Sequence, residues 1–215
     1  MQEMPPPLPS LLSRSTFFIR EQVGFLKLTD AYDILDPVTG AQLGLAKEEP
    51  KAAWLRLLIN KKILPTKVIV YEADGQTVAL RIEKPFTFWR TRLSVYDGQG
   101  RFVGLLRTKF ISFKRELLVE DANERPVGSF SGKWLSWTRE LVDGSGQVIG
   151  TMDKKWAGLA KEFFTSADNY QLTLAPASAS QPSQVALLLA ACLGYDLIFA
   201  DIVMDRNTGL DLLKV

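Results

Sequence analysis

The chain of 215 residues has no histidine and one cysteine, Cys192. Without imidazole there is no Ser-His-Asp or Cys-His arrangement and no zinc site that uses histidine. A single thiol closes no intramolecular disulfide, so nothing marks an oxidising compartment. An excess of one charge is also missing. The 26 Lys and Arg nearly balance the 24 Asp and Glu, for a formal net charge of +2. Nucleic-acid binding driven by overall charge is therefore not expected, although a local basic patch is compatible with this balance. No Gly-rich phosphate loop leads from a strand into a helix. The expectation is a protein that is not an enzyme, uses no cofactor and has no nucleic-acid partner. Residues 1–9, MQEMPPPLP, lack the basic start and apolar core of a secretory signal. Their three consecutive prolines favour an extended conformation. Residues 1–15 therefore read as a Pro-rich N-terminal arm, either a plain spacer or a docking peptide.

What is present is self-similarity. Five segments share one plan of β-rich run, acidic residue, turn and second run: YDILDPVTGAQLGLA from Tyr32, VIVYEADGQTVALRI from Val68, RLSVYDGQGRFVGLL from Arg92, ELLVEDANERPVGSF from Glu116 and TRELVDGSGQVIGTM from Thr138. In three of them a turn Asp precedes a Gly by seven residues: Asp97 to Gly104, Asp121 to Gly128, Asp143 to Gly150. The first copy has eight, Asp36 to Gly44, and the second carries Ala79 where the glycine would fall. Asp and Gly supply turn hydrogen bonds and positive φ. The flanking Val, Ile, Leu, Phe and Tyr suit a half-buried pleated surface. A glycine inside the second strand marks a bulge, a bend or the close approach of another element. Repeats of this length also suit a propeller or solenoid, but they are too short for four-stranded blades, and a barrel is preferred.

Residues 51–62 and 154–164 read as short helices between hairpins, and residues 176–182 as a loop. The segment SQVALLLAACLGYDLIF follows, with Ser183 as its N-cap. Residues 185–195 are uncharged, a run well short of the roughly 20 residues a membrane span needs. A helix apolar on all sides is buried on all sides, within its own domain or, as the alternative, in a membrane. Its core residues are Val185, Leu188, Leu189, Cys192 and Leu193.

From about Phe17 to Phe199 the chain resembles the phospholipid scramblases and their plant LURP-one-related and bacterial scramblase-like relatives, within the Tubby-like superfamily. The resemblance is carried by VGFLKLTDAYDILDP from Val23, KPFTFWRTRLSVYDGQGRFVG from Lys84, and IGTMDKKWAGLAKEFFTSADNYQLTL from Ile149 followed by VALLLAACLGYDLIF. It implies a mainly β (α+β) fold: one antiparallel 12-stranded barrel over residues 16–200 enclosing a helix at about 183–200, with residues 201–215 as a tail. It also implies a scramblase-like, phospholipid-binding protein at the membrane periphery, cytoplasmic or against the inner face of the membrane. The alternative is a Tubby-like scaffold or ligand-responsive module that meets protein partners and translocates no lipid. The animal family's cysteine-rich lipidation run has no counterpart here. At the family's proposed calcium loop, Ser166 and Ala177 replace the bounding acidic residues, leaving Asp168 and Asn169 as weak candidates that better suit a turn.

The charge pattern of the third hairpin points to anion binding. Arg90 and Arg92 alternate on one strand, Arg107 and Lys109 on the next, and Lys114 and Arg115 extend the set. A turn centred on Gly98–Gln99 would place Arg90 opposite Arg107. Like charges on one face repel unless an anion intervenes, and a phospholipid headgroup would suit Arg forks. The plainer reading is a solvated outer face with scattered ion pairs. Trp54, Trp89, Trp134, Trp137 and Trp156 read mainly as packing residues, with Trp134 and Trp137 beside Lys133 the pair to suspect at a membrane interface. Asp36, Asp97, Asp121 and Asp143 recur once per repeat and are read as turn residues.

Overall fold

A computed structural model of the chain describes residues 9–22, 31–50, 65–86, 91–111, 114–131, 138–154 and 169–208. Twelve strands form a closed antiparallel barrel: β1 (Thr16–Glu21), β2 (Ala31–Leu35), β3 (Gln42–Pro50), β4 (Thr66–Glu72), β5 (Val78–Lys84), β6 (Arg92–Asp97), β7 (Phe102–Ile111), β8 (Lys114–Asp121), β9 (Pro126–Ser131), β10 (Thr138–Val142), β11 (Val148–Asp153) and β12 (Asn169–Leu174). Each strand pairs with its sequence neighbours, and β1 closes on β12. The five sequence repeats are the five hairpins β2–β3 through β10–β11. The closed barrel sets aside the propeller and solenoid.

The hairpin turns explain the repeat. The Asp97 N–H donates to the Arg101 carbonyl and its Oδ1 accepts from the N–H groups of Gln99 and Arg101, at 2.9 to 3.0 Å. Asp121 and Asp143 do the same in their turns. The turns after Asp36 and Glu72 are one residue longer, closing on Ala41 and Thr77. After each turn the register shifts by one residue, at Leu43, Ala79, Val103, Val127 and Ile149. Gly104 sits beside its bulge, where the next strand comes so close that an added Cβ would lie 2.2 Å from the Glu120 carbonyl oxygen. The longer second turn corrects the expected alignment: Ala79 is the bulge residue, and Leu80 occupies the place that glycine takes elsewhere. The same bulge geometry corrects the third hairpin. Arg92, not Arg90, lies opposite Arg107.

The helix α2 (Pro182–Thr208) enters the barrel from the hairpin-turn end. Residues 185–195 are all buried, on every side of the helix. They pack against inward residues such as Leu93, Leu106, Val119, Leu141 and Leu172. A barrel of this girth holds more than its own side chains can fill, and an Ala- and Leu-rich helix fills it. The helix begins at Pro182, after Gln181, so Ser183 is inside the first turn and is not the N-cap. Proline suits that first position because it has no N–H to satisfy there. The helix also runs to Thr208, beyond the expected end at residue 200. The expected loop at 176–182 contains a single helical turn, α1 (Pro176–Ala179). Among the described residues no helix is long and apolar enough to cross a membrane. The expected helix at 51–62 lies outside the described residues, as does all of the one at 154–164 except Lys154.

Residues 10–13 form a 3-10 turn with Leu11 and Leu12 buried, so the expected arm is part of the core from there on. Glu72 holds this turn in place. Its carboxylate accepts the Leu11 N–H at 3.0 Å and the Ser10 hydroxyl. Leu11 in turn lies over Gly44, with Cδ2 3.3 Å from the position of an added Cβ.

Candidate functional site

Three regions carry polar chemistry. The first is the hairpin-turn rim. Its carboxylates serve the turns, and Asp36, Asp74, Asp97 and Asp143 are held below the ordinary carboxylate range. The Thr39 and Val38 N–H groups do this for Asp36. For Asp74 the Thr77 hydroxyl comes first, and for Asp143 the Ser145 hydroxyl. Partial burial works against ionisation at Asp97, but hydrogen bonds from Arg101 and Gln99 outweigh it. A cleft of about 570 Å³ lies between the 3-10 turn and two hairpin turns, lined in part by Leu12, Glu72, Asp74, Asp97 and Arg101. Its acidic groups are already engaged by the chain: Glu72 by the 3-10 turn, Asp74 and Asp97 by their own turns.

The second region is the lumen near the opposite rim. The inward alternation that places Ala46, Val68, Ile82 and Leu106 in the core continues to Glu48, Thr66, Lys84 and Thr108, all buried. Thr66 pairs directly with Lys84. Across the lumen the Arg139 guanidinium lies 4.4 Å from the centre of the Tyr195 ring, and the exposed Lys154, just past the end of β11, has its Nζ 5.7 Å from that of Tyr170. Cations held over aromatic faces are stabilised by the ring quadrupole. None of these residues was singled out from sequence. The available signal was a charged residue in the inward phase at a strand end, as in VALRIEK.

The third region is the outer wall at β6–β8. Arg92 is exposed and sits directly across from the half-buried Arg107. Arg107 donates from Nε to Glu120 Oε1 at 2.9 Å and from Nη2 to the same oxygen. Glu120 is only 6% exposed, so this pair is partly desolvated. Arg92 makes no ion pair among the described residues. Lys109 stands across from Glu116 and Lys114 across from Ile111. Arg115 stands across from Phe110. Arg90 lies outside the described residues. Elsewhere on the wall, cations and carboxylates pair off: Arg20 with Asp33 at 2.8 Å, Lys67 with Glu49 at 2.8 Å, Arg81 with Glu83 at 3.1 Å.

Asn169 is the first residue of β12 and pairs with Arg20, so it belongs to a strand and not to a turn. Asp168 lies outside the described residues, as do all five tryptophans. Among the described residues no three Cys, Asp or Glu side chains converge to hold a metal. Val185, Leu188, Leu189, Cys192 and Leu193 are buried in the barrel.

A Scramblase family profile matches residues 135–201, from β10 into the central helix. Over 194 residues the chain is 23% identical to a phospholipid scramblase family protein of Schizosaccharomyces pombe, covering 82% of this chain and 50% of that protein. It is 22% identical over 194 residues to Altered inheritance rate of mitochondria protein 25 of Saccharomyces cerevisiae, covering 75% of this chain and 58% of that one. The chain thus spans about half the length of these curated relatives. A solved structure of an Arabidopsis thaliana protein is 15% identical with a TM-score of 0.47, covering 91% of this chain and 93% of that one. By profile and by relatives, the chain is similar to the phospholipid scramblase family, most directly in the segment that runs through the last hairpin into the apolar helix.

Proposed function

We propose that this chain is a non-enzymatic, scramblase-like protein that binds phospholipid at the membrane periphery, with anionic headgroups held on the outer wall of β6–β8. The observation that carries the reading is the Arg92–Arg107 cross-strand pair. Like charges directly opposite each other on an antiparallel pair are unfavourable. Glu120 offsets Arg107, and no described carboxylate offsets Arg92. A phosphate oxygen between the two guanidinium groups would relieve the repulsion through charge-assisted hydrogen bonds. The similarity to phospholipid scramblase family proteins supports the same class of ligand.

Co-sedimentation with vesicles tests the reading. Phosphatidylcholine vesicles containing phosphatidylserine should carry the protein down, less so at high salt, and pure phosphatidylcholine vesicles should not. No sedimentation with the anionic vesicles would overturn the reading and favour a Tubby-like scaffold. Binding that Arg92→Glu leaves unchanged would remove the β6–β8 wall from it. A lipid-flip assay on the same vesicles then decides whether binding entails translocation.

A further inference from the structure

The hairpin turns are spent on their own hydrogen bonds, but the outer wall beneath them is not. On β5, β6 and β7 the core takes Ile82, Val95 and Leu106, so the alternate residues face outward. Strand pairing sets these in rows. Arg92 faces Arg107, Ser94 faces Glu83 and Leu105, and Tyr96 faces Arg81 and Phe102. The Arg81 guanidinium lies over the Tyr96 ring, 4.8 Å from its centre. Phe102 meets the same ring edge-on, with centroids 5.7 Å apart, and is itself 42% exposed. Arg81 Nε lies 3.1 Å from Glu83 Oε1 but is shielded from water and makes no hydrogen bond. Glu83 therefore offsets the charge of Arg81 without satisfying that donor. Stacking on an aromatic face holds the planar group in place and leaves its edge for an anion.

The wall on the other side of the closed ring, formed by β11, β12 and β1, is of a different kind. Met152, Leu172 and Phe17 point into the core, which turns Thr151, Gln171, Thr173 and Thr16 outward. The two charges in that outward phase, Arg20 and Asp153, are of opposite sign, and Arg20 is bonded to Asp33. One wall thus carries arginine and aromatic rings, and the other mainly uncharged polar groups.

We infer that the barrel meets an anionic phospholipid bilayer side-on through the outer wall of β5–β7, with Arg81 as a further headgroup contact and Phe102 entering the headgroup level. The inference rests on the phospholipid-binding reading and adds a contact and an orientation to it. Arg81 and Phe102 lie about 13 Å along β6 from Arg92, so only a surface parallel to the strands meets all three. An anionic leaflet attracts the arginines, and an exposed ring gains by leaving water at the headgroup boundary. The same leaflet repels the hairpin-turn rim, where Asp36, Asp74 and Asp143 are bonded to their turn N–H groups as carboxylates.

Fluorescent probes on the two walls test it on the full chain. One probe is attached to Ser94→Cys on β6 and the other to Thr151→Cys on β11, five strands away. Both positions are half-buried, and the native Cys192 is buried and leaves the probe site unique. The vesicles are phosphatidylcholine and phosphatidylserine doped with nitroxide-labelled lipid. The expected result is quenching of the Ser94 probe on vesicle binding with the Thr151 probe unchanged. Equal quenching of the two, quenching of neither, or quenching of the Thr151 probe alone overturns the orientation and leaves phospholipid binding standing. Absence of vesicle binding overturns the phospholipid reading itself, and the orientation with it. Phe102→Cys repeats the measurement should Ser94→Cys lower the melting temperature. Arg81→Gln should weaken binding to the same vesicles about fivefold, and an unchanged affinity removes Arg81 from the contact.

Discussion

The two ends of the barrel solve opposite problems. At the hairpin-turn end every connection is four to six residues long and closes on an acidic residue. Local hydrogen bonds, positive-φ glycines and a repeated bulge build this end almost without tertiary help. At the far end the connections are mostly longer and richer in tryptophan and basic residues, and the barrel wall below them turns polar on its inner side. A rim built from self-satisfied turns has little left to offer a ligand. A rim whose lumen and wall carry cations has more, and function is expected there. The expected effects of breaking this division run from stability of the first end to binding at the second.

The largest should come from Gly104→Ala. Its Cβ would press on the Glu120 carbonyl at 2.2 Å and on Leu187 at 2.9 Å. Backbone cannot yield as a side chain can, so a loss of about 3 kcal/mol, or roughly 10 °C in melting temperature, is expected. Gly194→Ala is the matched control. There the close atom is the Cδ1 of Leu93 at 2.5 Å, which rotates away more cheaply. Equal losses for the two would mean that the bulge glycine is ordinary packing.

Arg107→Ala should come next. It leaves the buried carboxylate of Glu120 without its partner. Because Arg107 is itself 41% exposed at the side chain, about 2 kcal/mol is expected, less than for a fully buried pair. The double variant with Glu120→Gln should recover most of it in denaturant melts. Failure to recover would show that the pair does not act as a unit.

Arg92→Glu separates function from fold. Stability should change by less than about 0.5 kcal/mol, as for other exposed sites. Affinity for anionic vesicles should fall by about tenfold or more, counting ~1 kcal/mol for each unit of charge near the surface. A melting temperature that falls along with affinity would tie Arg92 to the fold.

Glu124→Gly should sharpen the turn end. Glu124 has φ of 60°, the position filled by Gly40, Gly75, Gly100 and Gly146 in the other turns. Relief of that strain should stabilise by about 1 kcal/mol. A lower melting temperature would mean that the side chain makes a contact worth more than the strain.

The smallest effect is the pH dependence of the turn rim. Folding lowers the carboxyl pKa of Asp36, Asp74, Asp97 and Asp143 below the ordinary 3.8. A depressed group contributes stability above its unfolded pKa and loses it as pH falls through the folded one. The melting temperature should therefore hold from neutral pH to about pH 5 and fall below pH 3.8. Asp143→Asn should make that acid limb shallower, and an unchanged limb would exclude Asp143 from it.

Much of this fold could be read from the residues. The five hairpins, their turn acids, the bulging second strands and the all-apolar helix follow from local rules: Asp and Gly dictate turns, period-two apolar runs dictate strands, and an uncharged Ala- and Leu-rich run dictates a buried helix. The candidate site was less legible, because register decides it. One extra turn residue moved the glycine equivalent from Ala79 to Leu80. One bulge placed Arg92 instead of Arg90 across from Arg107. The partnership of Arg107 with Glu120 joins two strands and needed the closed sheet to appear. So did the burial of Leu11 under Glu72, 61 residues away. By itself the sequence determined which elements form and how each hairpin turns, since those choices depend on neighbours a few residues apart. Only the tertiary structure decided the register that sets Arg92 against Arg107, the pairing of Arg107 with Glu120 and the docking of the 3-10 turn on Glu72, because closure brings residues of distant strands together.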